Sequence, residues 1–140
     1  MSTQDFSQRI SIAVRKDIEP WQVTNTIGHI AAALGNKLGN GFLTGEQFTT
    51  REGIALPRNS QYPIIVLGAE GKLHDFVNAI ITSGLLHIVY VRDMLDEIDD
   101  RKLETTITQK SLADLDILGV GIFGPNEKVK ELTKGFKLWK

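Results

Sequence analysis

The sequence predicts an α/β domain whose central sheet is covered on both faces. Four short runs rich in Ile, Val and Leu read as strands: "ISIAV" at 10–14, "PIIVLGA" at 63–69, "LHIVYV" at 86–91 and "DILGVGIF" at 116–123. Their apolarity is nearly continuous instead of alternating, as in strands buried on two sides. Segments with helical spacing separate them, which is the alternation that builds α/β folds.

The first strand feeds a helix in "IEPWQVTNTIGHIAAALGN", residues 18–36. Asp17 and Glu19 stand near its positive end, and Pro20 takes a first-turn position where the missing N–H costs nothing. Gly35 and Gly39 supply stops. Val23, Ile27, Ile30 and Leu34 form one apolar stripe, the spacing of a face laid on a sheet. Gln22, Thr26, His29 and Ala33 repeat that spacing on a neighbouring stripe, with Asn25 beside them. A small, polar stripe next to the core face marks a groove approached by a ligand, a loop or a partner subunit.

The stretch 37–62 holds glycines, Pro57 and polar clusters, and "QFTTREGIAL" within it reads as an added edge strand. A second helix is expected from about Glu70 to Thr82, with Leu73, Phe76, Val77, Ile80 and Ile81 at three- and four-residue spacing and Gly84 as its stop. This makes a β-α-β unit, so the strands at 63–69 and 86–91 should run parallel with a right-handed crossover. The charged segment "MLDEIDDRKLETTITQKSLADLD", 94–116, is helical in tone and reads as a surface excursion. A short third helix follows from about Pro125 to Thr133, between Gly124 and Gly135. With 140 residues and no linker or repeat, one domain over 1–140 is expected.

Composition removes several classes of function. The chain has no cysteine, which excludes disulfides, thiolate metal sites and a cysteine nucleophile. With 16 basic and 17 acidic residues the formal net charge is −1, so no global field draws the protein to nucleic acid or anionic membrane. A local patch would need Arg15, Lys16, Arg51, Arg58 and Arg92. No apolar run reaches the ~20 residues of a membrane span, and "MSTQDFSQRI" lacks the features of a signal peptide. A cytoplasmic location is therefore expected.

Motif chemistry is sparse. "GNKLGNG" lacks both the phosphate-loop lysine and the dinucleotide fingerprint, and no G-x-S-x-G nucleophile elbow occurs. His74, expected on an exposed helix face, and His87, inside a strand, lack metal-pair spacing. Glu97, Asp99 and Asp100 read as a solvated acidic turn. No metal and no cofactor are implied. What remains is at the strand ends, where α/β sheets bind ligands. Arg15, Lys16 and Asp17 follow the first strand, and Arg92 and Asp93 follow the third. Asp93 is placed to act as a general base or to orient a water, and Arg15 or Arg92 to hold a phosphate or carboxylate. The alternative is that these charges pair with one another and simply close the strand ends.

Three stretches carry a family likeness: "VRKDIEPWQVTNTIGHIAAALG", "YVRDM" and "LGVGIFGPNEKVKELTKGFKLWK". Together they resemble the type II peptidyl-tRNA hydrolase superfamily, and more closely its uncharacterised bacterial branch, in which Trp21 and Gln22 occur together. The "VRD" of 91–93 matches the hydrolases' Arg-Asp strand end, with Asp93 at the functional aspartate. "GPNEKVKELTKGFKLWK" matches their closing turn, helix and strand. Gln22 stands where those enzymes carry a helix lysine. The resemblance implies a compact three-layer α/β/α domain with a mixed, mostly parallel sheet of about four strands, often a homodimer, and hydrolysis of the ester joining a peptide to tRNA. Taken with the strand-end and helix readings, it makes Asp93, His29 and Gln22 the candidate catalytic residues, and Arg15, Asp17, Trp21, Thr26 and Arg92 the candidate substrate-binding ones. Two other readings compete with a hydrolase. One is a non-catalytic module binding a small anionic ligand, a nucleotide or a protein tail, and the other is a structural dimer with the polar stripe buried between subunits.

Overall fold

The computed structural model describes residues 4–43 and 47–140. Its elements in chain order are β1 (Gln8–Arg15), α1 (Pro20–Leu38), β2 (Gln47–Thr49), β3 (Ala55–Pro57), β4 (Ile64–Ala69), α2 (His74–Ser83), β5 (Leu86–Val91), α3 (Arg92–Asp96), α4 (Asp100–Thr108), β6 (Ile117–Pro125), α5 (Asn126–Thr133) and β7 (Lys137–Leu138). All four expected strands form within a residue or two of their predicted bounds. The second helix starts four residues later than expected, at His74.

Five strands form one mixed sheet in the order β5-β6-β1-β4-β7. This is one strand more than the expected four or so, and the sheet is not mostly parallel. β1 and β4 are its parallel neighbours, while β1–β6, β5–β6 and β4–β7 are antiparallel. The cause is β6, which returns late in the chain and slots antiparallel between β1 and β5. β4 and β5 do point the same way, as the β-α-β pattern requires, but β1 and β6 lie between them. The expected edge strand near 47–56 is instead a separate hairpin of β2 and β3. Gly53, at φ +87°, turns the chain back on itself, and its N–H donates to the Thr50 carbonyl.

Side chains alternate across the sheet and build two apolar clusters. Ile10, Ile12 and Val14 of β1 pack with Val23, Ile30 and Leu34 of α1. Ala13 and Leu67 join Phe76, Val77 and Ile80 of α2 and Val129 of α5 in the other cluster. Helix α1 sits unusually close to β6. A Cβ placed on Gly119 would lie 2.7 Å from Thr26 Cγ2, and one on Gly121 would lie 2.3 Å from Ile30 Cγ2. These two bare positions form the seat of the helix, and Ile30 and Leu34, both fully buried, each contribute about 1.5–3 kcal/mol of burial there. The buried line on α1 is Val23, Thr26, Ile30 and Leu34, so Thr26 faces the sheet and Ile27 is only half-buried.

Candidate functional site at the strand ends

β1 and β5 point the same way and flank the start of β6, which runs oppositely. Their carboxyl ends therefore meet the residue just before β6, Asp116. The Arg92 N–H donates to the Asp116 carbonyl at 2.9 Å, and Arg92 Nε donates to Asp116 Oδ2 at 2.6 Å. Arg15 donates from Nη1 to the other carboxylate oxygen of Asp116. Its Nε and Nη2 grip both oxygens of Asp17 at 2.9 Å each, the two-pronged geometry that suits a guanidinium. Asp116 thus bridges two arginines across the sheet. The pairing slips between Tyr90↔Gly119 and Val91↔Ile117, leaving Leu118 as a bulge residue. Bulges bend and twist a strand and recur beside functional sites; this one lies two residues beyond the bridge.

The electrostatics follow from these contacts. Burial pushes the Asp116 carboxyl up, but hydrogen bonds and charge from Arg92 and Arg15 outweigh it and hold the group below the ordinary carboxylate range. Asp17 is held low chiefly by its hydrogen bond from Arg15, and that bond in turn raises the Arg15 guanidinium. Arg15, Asp17 and Asp116 also line a cavity of about 360 Å³, whose far wall includes Lys72 and His74. His74 is half-buried and not on an exposed face as expected, because its Nε2 meets the Leu115 carbonyl at 2.8 Å.

Asp93, one residue beyond Arg92, makes its own partnership. Lys110 Nζ donates to both of its oxygens at 3.0 Å. Lys110 comes from the end of the charged excursion. Asp99 caps α4 by accepting from the Arg101 and Lys102 N–H groups, and the chain then returns to place the ammonium on Asp93. Thr105 donates to the Arg101 carbonyl within α4. Lys16 leaves the strand end toward Glu70, with Nζ to Oε1 at 3.3 Å. Arg51 and Arg58 belong to the hairpin region, where Arg51 pairs with Glu52 and Arg58 lies over the Phe48 ring. They do not join Arg15 and Arg92.

The α1 residues divide among different tasks. Gln22 Oε1 accepts from the Glu19 N–H at 3.1 Å and closes the start of the helix. Thr26 is fully buried, and its hydroxyl has no partner. His29 is exposed and stacks on Tyr90, with ring centroids 5.1 Å apart and planes 13° from parallel. The Tyr90 hydroxyl donates to Asn25 Oδ1 at 3.2 Å; burial first, and then the charge of Asp96, raises that phenol above its usual range. Trp21 and His29 edge a shallow depression over Gly28 and Ala32 on the outer side of the helix.

Of the predicted residues, then, Arg15, Asp17 and Arg92 come together, Asp93 stands next to them, and Trp21 and His29 share a second place. Two residues of the charge network were not foreseen. Asp116 reads in sequence as the first residue of a strand, and Lys110 as part of a solvated excursion. Among the described residues no group of three or more His, Cys, Asp or Glu side chains is placed to hold a metal ion, and no helix is long and apolar enough to cross a membrane.

Residues 8–140 match a family model described as a protein of unknown function, DUF2000. No curated protein matches the chain. A solved structure of a protein of unknown function from Agrobacterium tumefaciens is 20% identical and superposes with a TM-score of 0.86, covering 97% of this chain and 100% of that one. At that identity the likeness speaks for the fold.

Proposed function

This chain belongs to the DUF2000 family, and we propose that it is a hydrolase of an ester or related acyl substrate, with peptidyl-tRNA as the first candidate. In this reading the domain is a three-layer α/β/α member of the type II peptidyl-tRNA hydrolase-like superfamily, acting in the cytoplasm as a homodimer. The observation that carries the reading is the pairing of Asp93 with Lys110, set one residue beyond the Arg15–Asp116–Arg92 bridge. That places a carboxylate, an ammonium and two guanidinium groups at the carboxyl ends of two strands. Packing of α1 on one side of the sheet and of α2 and α5 on the other supports the layered architecture, and the exposed Trp21 on α1 supports a self-association surface.

The chemistry divides as follows. Asp93 accepts a hydrogen bond from a water and directs its oxygen at the ester carbonyl carbon. The Lys110 ammonium faces the oxyanion that forms on the carbonyl oxygen. The ester C–O bond then breaks, and the proton drawn from water reaches the departing alcohol oxygen. Arg15 and Arg92 hold an anionic part of the substrate, exchanging part of their pairing with Asp116 for it. Gln22 carries no charge and contributes through the position of α1.

The test is cleavage of peptidyl-tRNA by the purified protein beside Asp93→Asn, Lys110→Met and Gln22→Lys. Loss of about 10²-fold or more in turnover is expected for Asp93→Asn, a smaller loss for Lys110→Met, and little change for Gln22→Lys. A folded wild type without turnover refutes peptidyl-tRNA as the substrate, and a further failure on simple aminoacyl and aryl esters refutes the hydrolase.

A second reading is a non-catalytic module for a small anionic ligand, a nucleotide or a protein tail. One observation favours it: every charge of the network already has an opposite partner, and Lys110 engages both oxygens of Asp93, so the site as it stands offers no unengaged carboxylate base. It predicts ligand affinity that depends on Arg15 and Arg92, with no turnover.

A further inference from the structure

A different cavity lies at the carboxyl end of β4, on the other side of β1 from the Asp116 bridge. It measures about 570 Å³ and is formed where β7 pairs with the carboxyl end of β4. Cavities of this size suit small ligands. Its wall includes Lys16, Gly68, Phe136, Lys137, Leu138 and Lys140.

Gly68 sets how closely Lys16 approaches β4. A Cβ on Gly68 would lie 2.7 Å from Lys16 Cδ and 3.3 Å from Trp139 Cε3. Glycine lets the Lys16 stem lie flat against β4 beside the indole, with Nζ 6.0 Å from the Trp139 ring centre. Glycine within a strand often marks such a close approach. The wall carries three ammonium groups and one carboxylate, that of Glu70, which Lys16 already engages. Lys137 and Lys140 have no acidic partner among the described residues. Among side chains alone, a local excess of two positive charges therefore stands in a protein whose formal net charge is −1.

Phe136 and Leu138 make the rest of the wall largely apolar. Phe136 is locked edge-to-face on Phe76, with centroids 4.8 Å apart and planes at 67°, while Leu138 stays 59% exposed. An aromatic and aliphatic wall beside ammonium groups without acidic partners suits a flat apolar body with an anionic head. We infer that this cavity is a binding site for an aromatic anion, bearing a carboxylate or a phosphate, and that it is independent of the strand-end chemistry.

The experiment is an amide NMR titration of the ¹⁵N-labelled full chain with benzoate, adenosine 5′-monophosphate and inorganic phosphate, each to about 10 mM, the range that detects millimolar affinity. At least one aromatic anion should give saturable shifts at Gly68 and over 135–140, at least about tenfold tighter than inorganic phosphate. Preference for the nucleotide identifies a phosphorylated ligand, and preference for benzoate a carboxylate. Lys137→Glu combined with Lys140→Glu should weaken that binding about tenfold or more, and its own spectrum reports whether it is folded. The inference is overturned if neither aromatic anion shifts these amides, if phosphate alone binds as well, or if the charge-reversed variant binds unchanged.

Discussion

Alanine at Gly121 and alanine at Gly28 should have opposite effects, because the two glycines meet opposite surroundings on either side of the α1 packing. At Gly121 the new Cβ would stand 2.3 Å from Ile30 Cγ2 and 2.9 Å from Leu34 Cδ1, where carbon atoms pack at about 3.5–4.0 Å. The overlap exceeds an ångström. Neither neighbour has room to yield, since both are fully buried. Overpacking of this kind costs about 1–3 kcal/mol, and the tightness here argues for the upper end, partly offset by about 0.5–1 kcal/mol from removing a flexible glycine. A net loss of about 2 kcal/mol is expected. At Gly28, inside α1, an added Cβ meets nothing within 4 Å, so only the helix preference remains, worth a gain of about 1 kcal/mol. Chemical denaturation followed by circular dichroism should show the midpoint falling for Gly121→Ala and rising for Gly28→Ala. By thermal melting the differences are roughly 2–4 °C or more per kcal/mol for a domain near this size. The Gly121→Ala variant should also loosen the stacking of His29 on Tyr90, visible in their ring proton shifts. A neutral or stabilising Gly121→Ala would refute the close seating of α1 on β6.

Thr26→Val keeps the shape of a fully buried side chain and removes a hydroxyl that has no partner, so it should stabilise the protein by about 1 kcal/mol; destabilisation would mean that the hydroxyl is engaged. Asp116→Asn removes the charge that joins Arg15 and Arg92. With the carboxylate 42% exposed, screening limits the loss near pH 7 to about 1 kcal/mol. Because the folded-state pKa of Asp116 lies below its unfolded value, its contribution is fully present above about pH 4 and disappears as pH falls through the depressed value. The stability gap between wild type and Asp116→Asn should therefore close at low pH, and a gap constant from pH 7 to pH 2 would contradict the ionic bridge.

The four long strands and three of the helices, α1, α2 and α5, were legible because burial on two faces leaves a continuous apolar run, and burial on one face leaves a stripe. Their order in the sheet was not. Local pattern sets the direction of β4 and β5, but nothing in either strand records that β6 will later pair beside β5. β7 has two residues, too few for any period to appear. Thr26 shows a related limit. On a helical projection it lies about 60° from Val23, at the margin of the core stripe. Its burial is decided by Gly119 on another element, which no helical pattern contains. The strand-end charges Arg15, Asp17, Arg92 and Asp93 were legible as a group. Asp116 was not, since an aspartate before a strand is commonplace until the strand's neighbours are known.

The same reasoning changes what Gln22 means. Viewed only through the resemblance to the hydrolases, it stands where those enzymes carry a helix lysine. In the structure its carboxamide closes the first turn of α1, where the helix dipole disfavours a cation and favours an acceptor aimed at the free N–H groups. A residue engaged in this way positions the helix, and with it Trp21 and His29. The ammonium beside Asp93 comes from Lys110, at the far end of an excursion that looks dispensable in sequence. α4 and its Asp99 cap then have a reason beyond solvation: they return the chain to the end of β5 with a cation in hand. The charge facing Asp93 rests on that excursion and not on α1.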